Sequence, residues 1–212
     1  MSGIVVFGRE PAPGRVKTRL AGAIGPEAAA AVYRTLLDHT VAEAVATGLP
    51  VVLSLAAPPS AAWRPPAGVR VEVQAGADLG ERMADAFARR FDEDWRRAVL
   101  VGSDCPGLVR GGLERALAGL ADTPVVLGPA ADGGYWLVGQ RAPGVAMFAG
   151  VPWSSGQTLA ATRRRLRSLG VGWRETETLA DIDTVRDLKR AVAGACVPGL
   201  ARRLAVAAVG MA

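Results

Sequence analysis

The chain has 212 residues, 50% hydrophobic and 21% charged, with 26 glycines and 14 prolines spread along its length. That composition excludes disordered, collagen-like and coiled-coil proteins and suits one packed α/β core. The net charge is +5, nearly all of the cations are arginines, and apolar stretches break well before the roughly 18 residues of a membrane span.

In chain order, the β-branched run 4–7 reads as a buried strand ending at Gly8. A helical pattern covers 26–47, with Pro26 in its first turn and Gly48 as a stop signal. Strands are expected at 51–55 and 69–73, separated by a Pro-rich loop at 58–66. An amphipathic helix at 79–91 places Met83, Ala86 and Phe87 on one face. Strand 98–101 ends at Gly102-Ser103-Asp104-Cys105-Pro106. It is followed by a helix at 112–120, a strand at 125–127, a Gly-rich turn and a strand-like run at 135–138. Ser154 and Gln157 have capping-box spacing for a helix running towards Leu169. A short strand at 171–174, a helix at 185–192 and a last helix at 199–209 complete the pattern. No basic leader precedes Ile4, so neither a signal peptide nor a membrane partner is expected.

Strands alternating with helices predict an α/β fold with a mainly parallel sheet covered on both faces, in a single domain over 1–212. Ligands in such sheets bind beyond the carboxyl ends of the strands. Arginine runs at 163–165 and 202–203 lack interleaved aromatics and fit exposed helix faces, so no nucleic-acid partner is expected. Cys105 and Cys196 make neither a disulfide framework nor a metal-site spacing, which points to a cytoplasmic setting.

Three segments carry candidate chemistry. The first, Gly8-Arg9-Glu10-Pro11-Ala12-Pro13-Gly14-Arg15-Val16-Lys17-Thr18-Arg19-Leu20, directly follows strand one. Its glycines permit close backbone approach, and Arg9, Arg15, Lys17 and Arg19 can face several phosphate oxygens together. Its glycine-to-lysine spacing differs from that of a P-loop. The second is Asp104, at a strand's carboxyl end, where a carboxylate suits Mg²⁺ or Mn²⁺ completed by phosphate and water; Asp is also a common turn residue. The third is Asp181-Ile182-Asp183-Thr184, whose Asp183 or Thr184 can cap the next helix and whose carboxylate can equally reach a shared cation. His39 and Cys105 read as packing residues. Trp153 suits stacking or core, and of Tyr135 and Trp136, alternating across a strand, one can face a ligand.

These segments, with Asp78-Leu79-Gly80-Glu81-Arg82-Met83, Asp132-Gly133-Gly134-Tyr135-Trp136-Leu137 and Pro152-Trp153-Ser154, resemble the DUF2064 family. The family is labelled a glycosyltransferase-A-type transferase associated with radical-SAM and selenium or arsenic gene neighbourhoods. The resemblance implies a Rossmann-like nucleotide-diphospho-sugar transferase sandwich. The Lys17-Thr18-Arg19-Leu20 loop also resembles deazaflavin-cofactor guanylyltransferases, and the Asp181–Thr184 segment resembles sugar-acid cytidylyltransferases. By position, Asp104 and Asp183 become the metal pair. Gly8, Arg9, Gly14, Arg15, Lys17 and Arg19 face nucleotide base and phosphates, with Asp78 and Arg82 near nucleotide or acceptor. Asp132, Gly133, Gly134, Tyr135, Trp153 and Ser154 fall on the acceptor side.

Two reactions suit those parts. In nucleotidyl transfer, a small phosphate, phosphonate or similar oxyanion attacks the α-phosphorus of a nucleoside triphosphate, with Arg15 and Lys17 neutralising the departing pyrophosphate. In glycosyl transfer from a nucleotide-sugar, Asp132 is the candidate base for an attacking hydroxyl. Ser103-Asp104-Cys105 lacks the Asp-x-Asp of many glycosyltransferases. A non-catalytic nucleotide-binding protein is the third reading. The oligomeric state does not follow from the sequence.

Overall fold

A computed structural model describes residues 1–143, 146–153, 155–195 and 197–209. Seven strands form one sheet in the order β3-β2-β1-β4-β6-β5-β7. They are β1 (Ser2–Gly8), β2 (Val51–Leu55), β3 (Arg70–Val73), β4 (Arg97–Gly102), β5 (Val125–Pro129), β6 (Tyr135–Gln140) and β7 (Trp173–Glu175). All pairings are parallel except those of β6, which runs antiparallel to both β4 and β5. The expected mainly parallel α/β sheet is thus present.

The helices are α1 (Thr18–Ile24), α2 (Pro26–Val45), α3 (Leu79–Asp92), α4 (Arg110–Gly119), α5 (Thr158–Ser168), α6 (Val185–Arg190) and α7 (Pro198–Val209). Strand alternation divides the core: Ile4 and Val6 of β1 point to one face, Val5 and Phe7 to the other. The first face packs against Tyr33, Leu37 and Val41 of α2 and Leu113 and Leu117 of α4. The second takes Met83, Ala86 and Phe87 of α3 and Leu159 and Leu166 of α5. A third cluster joins Leu20, Val32, Leu36, Leu188, Leu200 and Leu204 on the outer side of α2. Buried between the sheet and α7, α2 needs apolar residues on two sides, which explains its weak amphipathic pattern.

Three local expectations are corrected. Helix α1 occupies part of what the sequence read as loop; a seven-residue helix between Gly14 and Gly25 is too short for a periodicity signal. Helix α5 begins at Thr158, not directly after Ser154, and its N-cap is Gln157, without a side-chain cap. Ser155 and Thr158 instead both donate to Pro152 O, at 2.8 and 2.9 Å. Ser154 itself, like Cys196, lies outside the described residues. Third, the helix expected at 185–192 is α-helical only to Arg190 and continues as a π turn at Ala191–Ala195, broken by Gly194 at φ 113°. No helix among the described residues is long and apolar enough to cross a membrane.

The chain runs from β1 outward to β2 and β3, then crosses back to place β4 on the other side of β1. Between the carboxyl ends of β1 and β4 the connections diverge, and that divergence opens a crevice.

Candidate active site

The crevice is built from the loop after β1. Gly8 O accepts Ala56 N–H at 3.0 Å, and the next residue, Arg9, donates its N–H to the Tyr33 hydroxyl at 2.9 Å. That hydroxyl also bonds Ser103 Oγ at 2.9 Å, tying the start of the loop to the end of β4. Burial, with the nearby Asp104 charge, pushes the Tyr33 phenol up to about 12, so it remains a neutral hydrogen-bonding group at physiological pH. Glu10 anchors the outer side of the loop by accepting from Ser60 N and Oγ at 2.8 and 2.5 Å.

Lys17 ends the loop as the N-cap of α1, in the left-handed region at φ 48°, ψ 45°. A non-glycine residue there is uncommon and is held by its surroundings. Its side chain, only 6% exposed, lies 3.1 Å from Asp104 Oδ2. Two positions on, Arg19 Nη1 meets Asp183 Oδ2 at 2.6 Å. Asp183 reaches this place because Ile182 N–H donates to Asp104 O at 3.1 Å, which docks the segment before α6 onto the turn after β4. Capping of α6 falls to Thr184 and Asp187 in a reciprocal capping box, leaving the Asp183 carboxylate to face Arg19.

The resulting cleft has a volume of about 780 Å³ and is lined by Gly8, Arg9, Arg15, Lys17, Arg19, Asp78, Arg82, Asp104, Trp153 and Asp183 among the residues singled out from sequence. Its opposite wall is the start of α3. Asp78 Oδ1 caps that helix by accepting Glu81 N–H at 2.8 Å, and Arg82 Nε bonds Gly76 O at 3.1 Å. Trp153 lies over Gly80, where a Cβ would come within 2.5 Å of the indole, so a glycine is required for the ring to stand at the cleft. Trp153 also packs edge-on against Tyr135, with centroids 6.5 Å apart, and thus serves both cleft and core.

Other candidates fall elsewhere. Gly14, Asp132, Gly133, Gly134 and Tyr135 do not line the cleft. Asp132 accepts the N–H of Gly134 at 2.8 Å. Tyr135 turns its hydroxyl into the protein, where burial pushes the phenol up, and Trp136 is buried on the opposite face, donating to Glu177 O at 3.0 Å. Neither aromatic of that strand faces the cleft. Asp181 lies outside the lining as well; burial, reinforced by the carboxylates of Asp132 and Asp104 and partly countered by Lys17, raises its carboxyl. His39 and Cys105 are packing residues: His39 Nε2–H donates to Leu108 O at 2.8 Å, and burial pushes the Cys105 thiol up. Of the distal arginines, Arg163 pairs with Glu175, Arg165 bonds Ala146 O and Arg167 lies over Trp173. Sequence reasoning missed Tyr33, Gln74 and Ser103 as lining residues; a tyrosine within an apolar helix gives no signal that its hydroxyl reaches a loop.

The donor set fits a divalent cation. Asp104 Oδ1 is buried with no hydrogen-bond partner, while its other oxygen takes Lys17. A buried carboxylate oxygen left unpaired is costly unless a cation meets it. Asp183 lines the same cleft. Two carboxylates with room for phosphate oxygens is the arrangement that Mg²⁺ or Mn²⁺ takes up with a polyphosphate.

Among curated proteins no similar sequence is found. A crystal structure from Desulfovibrio desulfuricans G20, provisionally called a nucleotide-diphospho-sugar transferase, is 32% identical, covers 87% of this chain and 83% of its own, and superposes with a TM-score of 0.80. The manganese complex of Rv0371C from Mycobacterium tuberculosis H37Rv is 21% identical, with a TM-score of 0.56 over 91% of this chain and 98% of that one. The 4-diphosphocytidyl-2C-methyl-D-erythritol synthase of Anaerococcus prevotii DSM 20548 is 8% identical, with a TM-score of 0.57 over 90% and 94%. At such identities the last two speak for the fold alone. A family described as "Uncharacterized protein conserved in bacteria (DUF2064)" matches residues 36–155. With that match and the 32% identical relative, the chain belongs to the DUF2064 family and carries the nucleotide-diphospho-sugar transferase fold.

Proposed function

We propose that the chain is a single-domain, cytoplasmic, divalent-metal-dependent nucleotidyltransferase. It couples a nucleoside triphosphate to a small acceptor bearing a phosphate, phosphonate or similar oxyanion and releases pyrophosphate. The observation that carries this reading is the meeting of Lys17, Arg15 and Arg19 with Asp104 and Asp183 in one cleft at the carboxyl ends of β1 and β4.

Asp104 and Asp183 would hold Mg²⁺ or Mn²⁺, whose charge offsets that of the polyphosphate. Arg15, Lys17 and Arg19 face the β and γ phosphates and stabilise the charge that moves onto pyrophosphate as the α-phosphorus changes partners. Gly8 lines the cleft beside Arg9, and its Cβ position, 3.1 Å from Leu37, faces the core, so the missing side chain keeps β1 close to α2. Across the cleft, Asp78, Arg82 and Trp153 leave an anionic acceptor one guanidinium and one aromatic face. The acceptor oxygen forms the new bond to the α-phosphorus, the bond to the bridging oxygen breaks, and the electron pair leaves with pyrophosphate. An oxyanion already ionised at neutral pH requires no general base. This agrees with the engagement of each carboxylate among the described lining residues: Asp78 caps α3, and Asp104 and Asp183 are ion-paired.

Sugar transfer from a nucleotide-sugar is the second reading, favoured by what the 32% identical relative is called. A panel of nucleoside triphosphates and sugar nucleotides, each with Mg²⁺ and phosphate, phosphonate or sugar acceptors, separates the two. Pyrophosphate release is the expected result. Nucleoside diphosphate in its place establishes sugar transfer, and neither product from any combination leaves a nucleotide-binding protein.

A further inference from the structure

The two carboxylates assigned to the metal are each already neutralised by a cation assigned to the phosphates. Lys17 Nζ stands 3.1 Å from Asp104 Oδ2, and Arg19 Nη1 stands 2.6 Å from Asp183 Oδ2. The pairs differ in burial. The difference lies in the cations, the Lys17 side chain being 6% exposed against 73% for Arg19, while the carboxylates are similarly open at 43% for Asp104 and 35% for Asp183; the left-handed backbone at Lys17 accompanies its inward placement. A cation shielded from water keeps more of its Coulomb interaction with its partner than an exposed one, which is screened and held weakly.

We propose that Lys17, with Arg19 as a weaker second, is an internal counter-cation that keeps the acidic pair a poor metal site until a polyphosphate draws the cations off. Metal and polyphosphate binding are then coupled through these two salt bridges. This inference rests on the assignment of Asp104 and Asp183 as the metal pair. An ion approaching Asp104 Oδ1 shares its carboxylate with an ammonium on Oδ2, and like charges that close repel strongly in a partly desolvated cleft. A triphosphate offers Lys17 other oxygens and adds negative charge beside the ion, which removes the penalty. Coupling of this kind is reciprocal, so Asp104 equally withholds Lys17 from phosphate. Single neutralising substitutions should therefore tighten binding of one ligand while removing a contact to the other.

The test uses full-length protein and two probes that require no knowledge of the base or acceptor. Mn²⁺ alone is titrated by the electron-paramagnetic-resonance signal of the free ion. Tripolyphosphate alone, in EDTA, is titrated by calorimetry. Lys17→Met is expected to tighten Mn²⁺ about tenfold, within the usual range of coupling between sites, and Arg19→Met about twofold. Adding Asp104→Asn to Lys17→Met should abolish that gain and so locate the ion. Asp104→Asn should tighten tripolyphosphate several-fold. If Lys17→Met fails to fold, Asp104→Asn decides the matter from the more exposed partner. Unchanged or weaker Mn²⁺ binding by Lys17→Met, or unchanged or weaker tripolyphosphate binding by Asp104→Asn, overturns the coupling while leaving the nucleotidyltransferase reading intact. Binding of neither probe by any variant removes both.

Discussion

The basic loop after β1 and the turn between β5 and β6 emerge at the same edge of the sheet, and both are glycine-rich and charged. Their glycines answer different demands. Gly14, at φ 73°, has open space around it, and the side chains that follow it reach the cleft. Gly133, at φ 90°, stands against the backbone of Gly156, with which any Cβ would collide, and its carbonyl accepts Leu159 N–H at 2.9 Å at the start of α5. The first glycine lets a loop turn in open space. The second lets two backbone segments touch. A glycine facing space and a glycine facing backbone look the same in a sequence, and only the second fixes the fold.

Activity offers the largest effect with which to break this distinction. Asp104→Asn or Lys17→Ala is expected to lower kcat/KM by about 10²–10³-fold with an unchanged far-UV circular dichroism spectrum, the range seen when a preorganised charge-stabilising group is lost. Asp132→Asn should cost less than about tenfold; a loss equal to that of Asp104→Asn would move the chemistry towards the β5–β6 turn. Stability reverses the ranking. Gly133→Ala is expected to cost about 3 kcal/mol in urea unfolding, because a positive φ and a backbone clash act together, and Gly14→Ala about 1 kcal/mol from φ alone. Equal costs would contradict the contrast. Tyr33→Phe should cost about 1–2 kcal/mol through two lost hydrogen bonds, one at each side of the loop's origin.

The smallest effect concerns the far side of α2. His39 is the sole histidine, and burial lowers its pKa, partly countered by its bond to Leu108 and by Glu43. The unfolded chain therefore takes up this proton at a higher pH than the folded one. The stabilisation from neutral His39 is complete above the unfolded value near 6.5 and is lost as the pH falls through the folded value, at no more than about 1.4 kcal/mol per pH unit. Unfolding free energies between pH 7 and 5 should show that slope in the wild type and a flatter one in His39→Gln. Identical slopes would mean that His39 is not held neutral by its packing.

The alternation of strands and helices and the positions of Asp104 and Asp183 at chain turns were legible because period and turn chemistry are local. That both carboxylates line one cleft was not, since it depends on one long-range bond from Ile182 N to Asp104 O. Nor could the pattern at 135–138 tell which way Tyr135 points: strand alternation assigns opposite faces to Tyr135 and Trp136, but here both faces are covered by helices and neither reaches the cleft. The antiparallel course of β6 was equally hidden, because apolar strands buried on both faces carry no mark of direction.

The most direct measurement is anomalous diffraction from crystals grown with Mn²⁺ and a nucleoside triphosphate. One manganese peak is expected about 2.1 Å from a carboxylate oxygen of both Asp104 and Asp183, with phosphate oxygens completing the shell and Lys17 turned to the polyphosphate. Manganese on any other set of side chains, with Lys17 still on Asp104 beside a bound nucleotide, would contradict it.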